Sequence, residues 1–274
     1  MQQQKIKTIV VGVDFSEYSK IVVKQANLLS KLWKTNLVLV HAVQDPVQYA
    51  PAIYVPFPNL LPLESYESEI MKFYKITSKA VKLVAVRGVP SDCLIQIAKK
   101  QDQPMIMVGY KGNRPIAEFF FGSTAQSLVF KAKMPVWIQR GRKVMIPKKV
   151  LVPHDLSLEA NESIDMVKEI SEASPLKYEV FFVQERPYPV MNYTAFTLAE
   201  MHNLNVSVAK IRRLKRNYPN LSVKAEKGNL TTKVQKQAKN FDLLVMSHHN
   251  PKRFFGGSET VNLLQHVNKP ALIV

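Results

Sequence analysis

The sequence predicts an α/β protein made of two tandem, doubly wound parallel sheets of five strands each. Short apolar runs alternate with amphipathic helical segments, which is the rhythm of a parallel sheet covered by helices on both faces. The chain has 274 residues, enough for two ordinary domains. Its second half also repeats the motifs of the first. We therefore predict one domain over residues 1–143 and another over residues 144–274.

Local signals place the elements of the first half. The first strand ends near Asp14, and Ser16 is a suitable N-cap for a helix from Glu17 to about Lys34. The remaining strands are short and almost wholly apolar, and we expect them at about 36–43, 81–86, 104–108 and 134–138. Helices are expected at about 64–80, 91–100 and 123–131. The segment from Pro46 to Pro62 carries five prolines and is expected to be an irregular flap.

The second half repeats these signals in the same order. The matched positions share their place in the strand–helix pattern, and they are Asp14 with Asp155, Gly88 with Gly228, and Gly122 with Gly257. The two halves join around Gly141. Right-handed crossovers bring the carboxyl ends of parallel strands to one edge of each sheet, where such folds bind ligands.

A glycine-punctuated loop follows the fourth strand of the first half. Gly109 and Gly112 are followed, after nine residues, by Gly122, Ser123 and Thr124. Because glycine lacks a Cβ atom, the backbone can turn sharply there and approach a ligand closely. Free N–H groups at the start of the next helix favour an anion. The spacing alone is equally compatible with a plain strand–helix joint, because isolated glycine patterns are weak evidence.

This Gly-x2-Gly-x9-Gly-Ser pattern resembles the nucleotide-binding loop of the universal stress protein family. The first strand with its Asp14 turn, the second strand around 38–42 and the closing strand around 134–138 resemble the same family. The chain as a whole thus resembles a tandem member. The resemblance implies an adenine nucleotide alpha hydrolase-like, Rossmann-like fold in each half. It also implies that the two domains pair within the chain as a pseudo-dimer; association of two chains into a homodimer stays open.

The resemblance further implies that the first domain binds ATP, with any Mg²⁺ carried by the phosphates. The residues it assigns to the nucleotide share positions at strand ends and along the loop, and they are Gly12, Val13 and Asp14 for adenosine, Ala42 for adenine, Val108 and Gly109 for ribose, and Gly112, Gly122, Ser123 and Thr124 for the triphosphate. Lys111 and Arg114 would add positive charge in the loop.

The second half departs from this pattern at the loop. Ser247 stands at the position of Gly109, Asn250 stands at that of Gly112, and six residues rather than nine precede Gly257. A shorter loop without these glycines cannot follow the same path around phosphates. We expect the second domain to have lost ATP binding or to bind something smaller. A lone anion at the helix start and a plain strand–helix joint are the alternatives.

Composition narrows the possible functions. The formal net charge is +17, but no nucleic-acid-binding motif is present, so nucleic acid is an unlikely partner. The densest cationic group is predicted to be a solvated helix face, and it comprises Lys210, Arg212, Arg213, Lys215 and Arg216. No apolar run is long enough to span a membrane. The single cysteine, Cys93, excludes an internal disulfide, suits a reducing cytoplasm and is expected to be packed in a helix.

The functional interpretation is a nucleotide-dependent regulator of the stress response that acts through a protein partner, which the sequence does not identify. Efficient phosphoryl transfer needs several positioned carboxylates, and Asp14 is the one evident carboxylate of the site. We therefore expect at most a weak ATPase or phosphotransferase activity. A nucleotide-independent module that binds through its basic surface is a further alternative. The adjacent His248 and His249, like the other histidines, are interpreted as polar loop residues rather than metal ligands.

Overall fold

The computed structural model describes residues 6–43, 62–78, 80–111, 122–185, 193–247 and 259–274. The chain divides into two compact units, Met1–Ile146 and Pro147–Val274. Each unit contains a sheet region of five strands in which the neighbouring strands run parallel. The predicted fold class, two tandem parallel α/β domains, is confirmed.

The first domain alternates strands and helices throughout its described residues. Its elements in chain order are β1 (Thr8–Val13), α1 (Glu17–Trp33), β2 (Asn36–Val43), α2 (Leu63–Tyr74), β3 (Val81–Arg87), α3 (Pro90–Lys99), β4 (Pro104–Gly109), α4 (Ser123–Lys131) and β5 (Val136–Gln139). The strand order is β3-β2-β1-β4-β5. Strands β2 and β3 are added on one side of β1, whereas β4 and β5 are added on the other. The strand order therefore reverses between β1 and β4, and open parallel sheets bind ligands at such a switch point.

The ends of the helices show where local sequence signals work and where they fail. Helix α1 begins as predicted, because the Ser16 side chain accepts a hydrogen bond from Ser19 N at 3.0 Å. Helix α2 ends earlier than predicted, since Lys75 adopts a left-handed conformation with φ 53°. The N–H of Ile76 then bonds back to Met71 O at 3.0 Å. No glycine marks this end, so the prediction of a helix to about residue 80 was wrong.

Helices α1 and α3 cover opposite faces of the first sheet. A Cβ atom on Gly12 would meet Leu94 of α3, whereas a Cβ atom on Gly109 would meet Tyr18 of α1. Neighbouring strand residues point to alternate faces, so the sheet is packed on both sides. Its central strand β1 is accordingly buried at every residue except Gly12, which is partly exposed. Cys93 is buried in α3 as expected, and burial raises the pKa of its thiol.

The second domain repeats this architecture. Its elements in chain order are β6 (Lys149–Pro153), α5 (Asn161–Ala173), β7 (Lys177–Gln184), α6 (Tyr193–Asn217), β8 (Val223–Lys227), α7 (Leu230–Ala238), β9 (Leu243–Met246), α8 (Glu259–His266) and β10 (Ala271–Ile273). The strand order is β8-β7-β6-β9-β10. Even local backbone geometry repeats: Gly88 and Gly228 both have φ +139°, and each donates its N–H at 3.1 Å to a carbonyl at the end of β2 or β7.

Two further features bear on function. The cationic residues 210–216 of α6 are exposed at every Lys and Arg position, as predicted for a solvated face. None of the helices in the described ranges is long and apolar enough to cross a membrane.

Candidate functional site

A tight turn follows β1 at the predicted ligand-binding edge. The Asp14 carboxylate oxygen Oδ1 accepts hydrogen bonds from Ser16 N at 3.1 Å and from Ser16 Oγ at 2.6 Å. Between them, Phe15 adopts a left-handed conformation with φ 57°. An aspartate that bonds to the backbone two residues on is a typical stabiliser of such a turn. Within the described part of the chain, Oδ2 of Asp14 has no hydrogen-bond partner, so this oxygen is available to a ligand.

Aromatic side chains pack around this turn. The Phe15 ring lies 4.6 Å from the His41 ring, 5.5 Å from that of Phe73 and 6.1 Å from that of Tyr74. His41 lies in β2, as the strand predicted at 36–43 requires, with Nδ1 2.9 Å from Val13 O. The interpretation of the histidines as loop residues was wrong for His41, for His202 in α6 and for His266 in α8. The place of His41 at the end of β2 puts the next residue, Ala42, at the same sheet edge as Asp14.

Gly12 has a packing role. A Cβ atom there would lie 2.9 Å from Leu94 Cδ1 and 3.1 Å from Val108 Cγ1. The glycine thus allows α3 to pack closely against β1 and β4. Its side-chain face is turned towards the protein core.

Gly109 is closely covered by α1. A Cβ atom at this residue would lie 3.0 Å from Tyr18 ring carbons and 3.0 Å from Lys111 O. The Tyr18 hydroxyl donates to Gln139 O at 3.0 Å, and that carbonyl also accepts from Tyr110 N at 2.9 Å. Burial, as the largest influence, raises the pKa of Tyr18 to about 12. The backbone at the end of β4 is therefore held in a narrow space that only glycine fits without displacement.

The exit of the loop lies against its entrance. Gly122 N donates to Tyr110 O at 3.0 Å, and a Cβ atom on Gly122 would come within 3.0 Å of the same carbonyl oxygen. Gly122 is the N-cap of α4 and has no side chain to cap the helix. The N–H groups of Ser123 and Thr124 find no acceptor among the described residues, and Ser123 is exposed. Open N–H groups at a helix N-terminus attract an anion.

Arg140 is a cation beside this loop that sequence reasoning missed. Arg140 is the residue directly after β5, and its guanidinium carbon lies 3.8 Å from the centroid of the Tyr110 ring. Burial lowers the pKa of Arg140, and the neighbouring Tyr110 and Tyr18 partly oppose that shift. The sequence shows that Arg140 follows the closing strand. Its contact with the Tyr110 ring could not be predicted, because that contact depends on the alignment of β4 with β5. Gly112 and Arg114 lie outside the described residues.

The second domain keeps the turn. Asp155 Oδ1 accepts from Ser157 N at 2.9 Å and from Ser157 Oγ at 2.6 Å, and Leu156 has φ 62°. These values match those of the Asp14 turn closely. The N–H of Leu156 is satisfied within the turn by His154 Nδ1 at 2.9 Å.

Beyond the turn the two sites differ. Helix α5 begins at Asn161, four residues after Ser157, whereas α1 begins directly after Ser16. Ser247, at the position of Gly109, donates its hydroxyl to Ala160 O at 3.0 Å. The Ser247 side chain thus joins the end of β9 to the start of α5, whereas in the first domain the Tyr18 ring of α1 covers Gly109 at the end of β4. Asn250, Gly257, Ser258 and the His248–His249 pair lie outside the described residues.

No group of three or more His, Cys, Asp or Glu side chains in the described ranges is arranged to hold a metal ion.

The family model described as the universal stress protein family matches residues 5–140 and again residues 147–274. The chain belongs to the universal stress protein family. The double match gives the tandem arrangement of two domains that the sequence repeat predicted.

Curated relatives correspond to single domains of this universal stress protein. A universal stress protein of Thermus aquaticus is 25% identical over 142 residues, which is 49% of this chain and 98% of the relative. One of Methanocaldococcus jannaschii is 23% identical over 153 residues, covering 48% of this chain and 93% of the relative.

Solved structures match across both domains. A functionally unknown protein of Pseudomonas aeruginosa superimposes with a TM-score of 0.71 at 13% identity, over 99% of this chain and 93% of that one. A universal stress protein of Archaeoglobus fulgidus gives 0.64 at 14% identity, over 99% and 98% of the two chains. At these identities the likeness shows the fold.

Proposed function

We propose that this protein binds one ATP molecule, in the first domain, and acts as a nucleotide-dependent regulator in the stress response. The observation that carries the proposal is the contact between Gly122 and Tyr110 O. The contact joins the two ends of the loop, and because Gly122 has no side chain the start of α4 is left without a side-chain cap. Such a helix start, reached through a glycine, suits a phosphate chain.

The remaining residues would bind the rest of the nucleotide. Oδ2 of Asp14 would accept a hydrogen bond from the ribose or base, while Val13 and Ala42 would offer backbone groups at the same edge. Val108 and Gly109 would flank the ribose, and Gly112, Ser123 and Thr124 would meet the phosphates. Any Mg²⁺ would be held mainly by the phosphate oxygens.

The second domain would not bind ATP. Ser247 occupies the position of Gly109 and its hydroxyl is bonded to Ala160 O, which supports an altered site. The loop that follows is three residues shorter than its counterpart, by the spacing of Asn250 and Gly257. The second domain thus differs from the first in two features at once: the glycine at the end of the fourth strand and the length of the loop that follows it.

The first test is the stoichiometry of binding. Isothermal titration of the purified chain with ATP should give one site per chain, with and without Mg²⁺. GTP is the matched control for base recognition. Two ATP sites per chain would contradict the loss in the second domain, and the absence of binding at millimolar ATP would contradict the proposal as a whole.

A further inference from the structure

Helix α2 is bonded to the Asp14 turn through one hydroxyl group. The Tyr74 hydroxyl oxygen lies 2.9 Å from Phe15 N and 2.5 Å from Ser19 Oγ. Tyr74 is the last residue of α2, whereas Phe15 and Ser19 flank the start of α1. One side chain therefore connects the turn after β1, the first turn of α1 and the end of α2.

The direction of each hydrogen bond follows from the donors available. Ser19 has one hydroxyl hydrogen, and it is donated to Ser16 O at 2.8 Å. Tyr74 must then donate its own hydrogen to Ser19 Oγ, and its oxygen accepts from Phe15 N. Burial raises the pKa of Tyr74 to about 12, so the hydroxyl keeps its hydrogen at neutral pH. Removing the Tyr74 hydroxyl group would leave the Phe15 N–H without this acceptor.

The second domain satisfies the same N–H locally. Leu156 corresponds to Phe15, and its N–H bonds to His154 Nδ1 two residues earlier. The position that matches His154 in the first domain is Val13, whose side chain has no acceptor. The two turns have the same conformation, but the acceptor in the first domain lies 59 residues away along the chain rather than within the turn.

We propose that Tyr74 is a positioning residue for nucleotide binding: its hydroxyl holds the Asp14–Ser16 turn in the shape that presents Asp14, and so couples occupancy of the first site to docking of α2. This inference rests on the proposed ATP site. Because coupling between two equilibria is reciprocal, ATP that favours the formed turn must also favour docked α2. The nucleotide would thereby change how much of α2 is exposed, and a protein partner could bind to α2 in one of the two states.

Tyr74→Phe in the full chain tests this coupling, because the ring and its packing against Phe15 and Phe73 are kept. The matched control is Tyr66→Phe, which removes a hydroxyl from the same helix; that hydroxyl has no hydrogen-bond partner among the described residues. One lost hydrogen bond predicts an ATP Kd about fivefold higher in Tyr74→Phe. We expect an unchanged Kd in Tyr66→Phe.

Hydrogen–deuterium exchange supplies a readout that a purely structural role would not move. In the wild type, saturating ATP should slow amide exchange in residues 63–74 and at Phe15. In Tyr74→Phe at saturating ATP, this slowing in 63–74 should be lost although nucleotide is bound. If the variant does not fold, Ser19→Ala removes the acceptor of the Tyr74 hydrogen and should give the same pattern at smaller size.

The outcomes separate the two proposals. A wild-type chain that binds no ATP would refute the proposed function. A wild-type chain that binds ATP, with equal affinity and equal slowing of 63–74 in Tyr74→Phe, would refute the coupling and leave the ATP site standing.

Discussion

The two domains share a backbone plan and differ where a ligand would enter. Both turns after the first strand use an aspartate and a serine two residues apart, with left-handed residues at φ 57° and 62° between them. At the end of the fourth strand, however, one domain has Gly109 under a tyrosine ring and the other has Ser247 bonded to Ala160 O. The turn after the first strand is thus the same in the two domains, although the end of the fourth strand differs.

The comparison also helps to separate a role of aspartate in folding from a role in ligand binding. Asp14 and Asp155 make the same turn bonds, so neither bond identifies a binding residue. The two settings differ at the end of the fourth strand, where the first domain has Gly109 and the second has Ser247. Substitutions made in pairs, one in each domain, can therefore separate the contribution to folding from the contribution to binding.

The largest effect is expected from Gly122→Asp, with Gly257→Asp as its counterpart. A carboxylate at roughly 4 Å from a phosphate charge gives about 4 kcal/mol of repulsion at an effective dielectric constant of about 20. ATP binding should therefore fall by about a thousandfold in Gly122→Asp and stay unchanged in Gly257→Asp. Isothermal titration measures both. Equal loss in the two variants would mean that the second domain binds ATP as well.

Asp14→Ala and Asp155→Ala should divide stability from affinity. Each removes the same pair of turn hydrogen bonds, so each should lower the free energy of unfolding by about 1–2 kcal/mol. Only Asp14→Ala should raise the Kd for ATP, by about tenfold, since a hydrogen bond to a charged group contributes about 1.5 kcal/mol or more. Urea unfolding and titration check the two parts. An unchanged Kd in Asp14→Ala would remove this carboxylate from the site.

Exchanging the residues at the end of the fourth strand should have a smaller effect. Gly109→Ser places atoms within 3.0 Å of the Tyr18 ring and Lys111 O, and overpacking of this kind costs about 1–3 kcal/mol of stability. Ser247→Gly removes one hydrogen bond and should cost about 1 kcal/mol. Ser247→Gly should gain no second ATP site, because the shorter loop of the second domain remains. Thermal unfolding and ATP stoichiometry provide the measurements.

Alkaline pH should give the smallest contrast between the domains. The pKa values of Tyr18 and Tyr74 are raised from 10.0 to about 12 chiefly by burial, as is that of Tyr218 in the second domain. A raised pKa in the folded state stabilises the fold below pH 10, and this contribution is lost as the pH rises towards 12. Burial also raises the pKa of Cys93 in the first domain and of Tyr178 in the second, so the tyrosines with a pKa of about 12 decide the contrast. Two of these three lie in the first domain, which should therefore lose more stability.

Tryptophan fluorescence can follow that loss selectively. Both tryptophans of the chain, Trp33 and Trp137, are buried in the first domain with ring centroids 6.4 Å apart. Urea midpoints read by fluorescence should therefore fall between pH 10 and pH 12. The urea midpoint read by far-ultraviolet circular dichroism, which reports on both domains, should fall less. Identical shifts by the two probes would contradict the expected asymmetry.

Strong local signals were sufficient for most of the fold. The second strand was predicted at about 36–43 and is observed at Asn36–Val43, and the helix at 123–131 is observed at Ser123–Lys131. Apolar runs and N-capping residues act over a few neighbours, so they can be read directly. The end of α2 could not, because its left-handed Lys75 carries no glycine or asparagine signal.

The sequence alone determined the order of the elements, the repeat of the two domains and the glycine pattern that points to a nucleotide, because each is written in residues close together along the chain. Only the tertiary structure decided why Gly12 is a glycine and which group satisfies the Phe15 N–H. Leu94 and Tyr74 lie far along the chain from those residues, and only folding brings their atoms into contact. The physical reason is that close packing and hydrogen bonding act over distances of a few ångströms, whatever the separation in sequence.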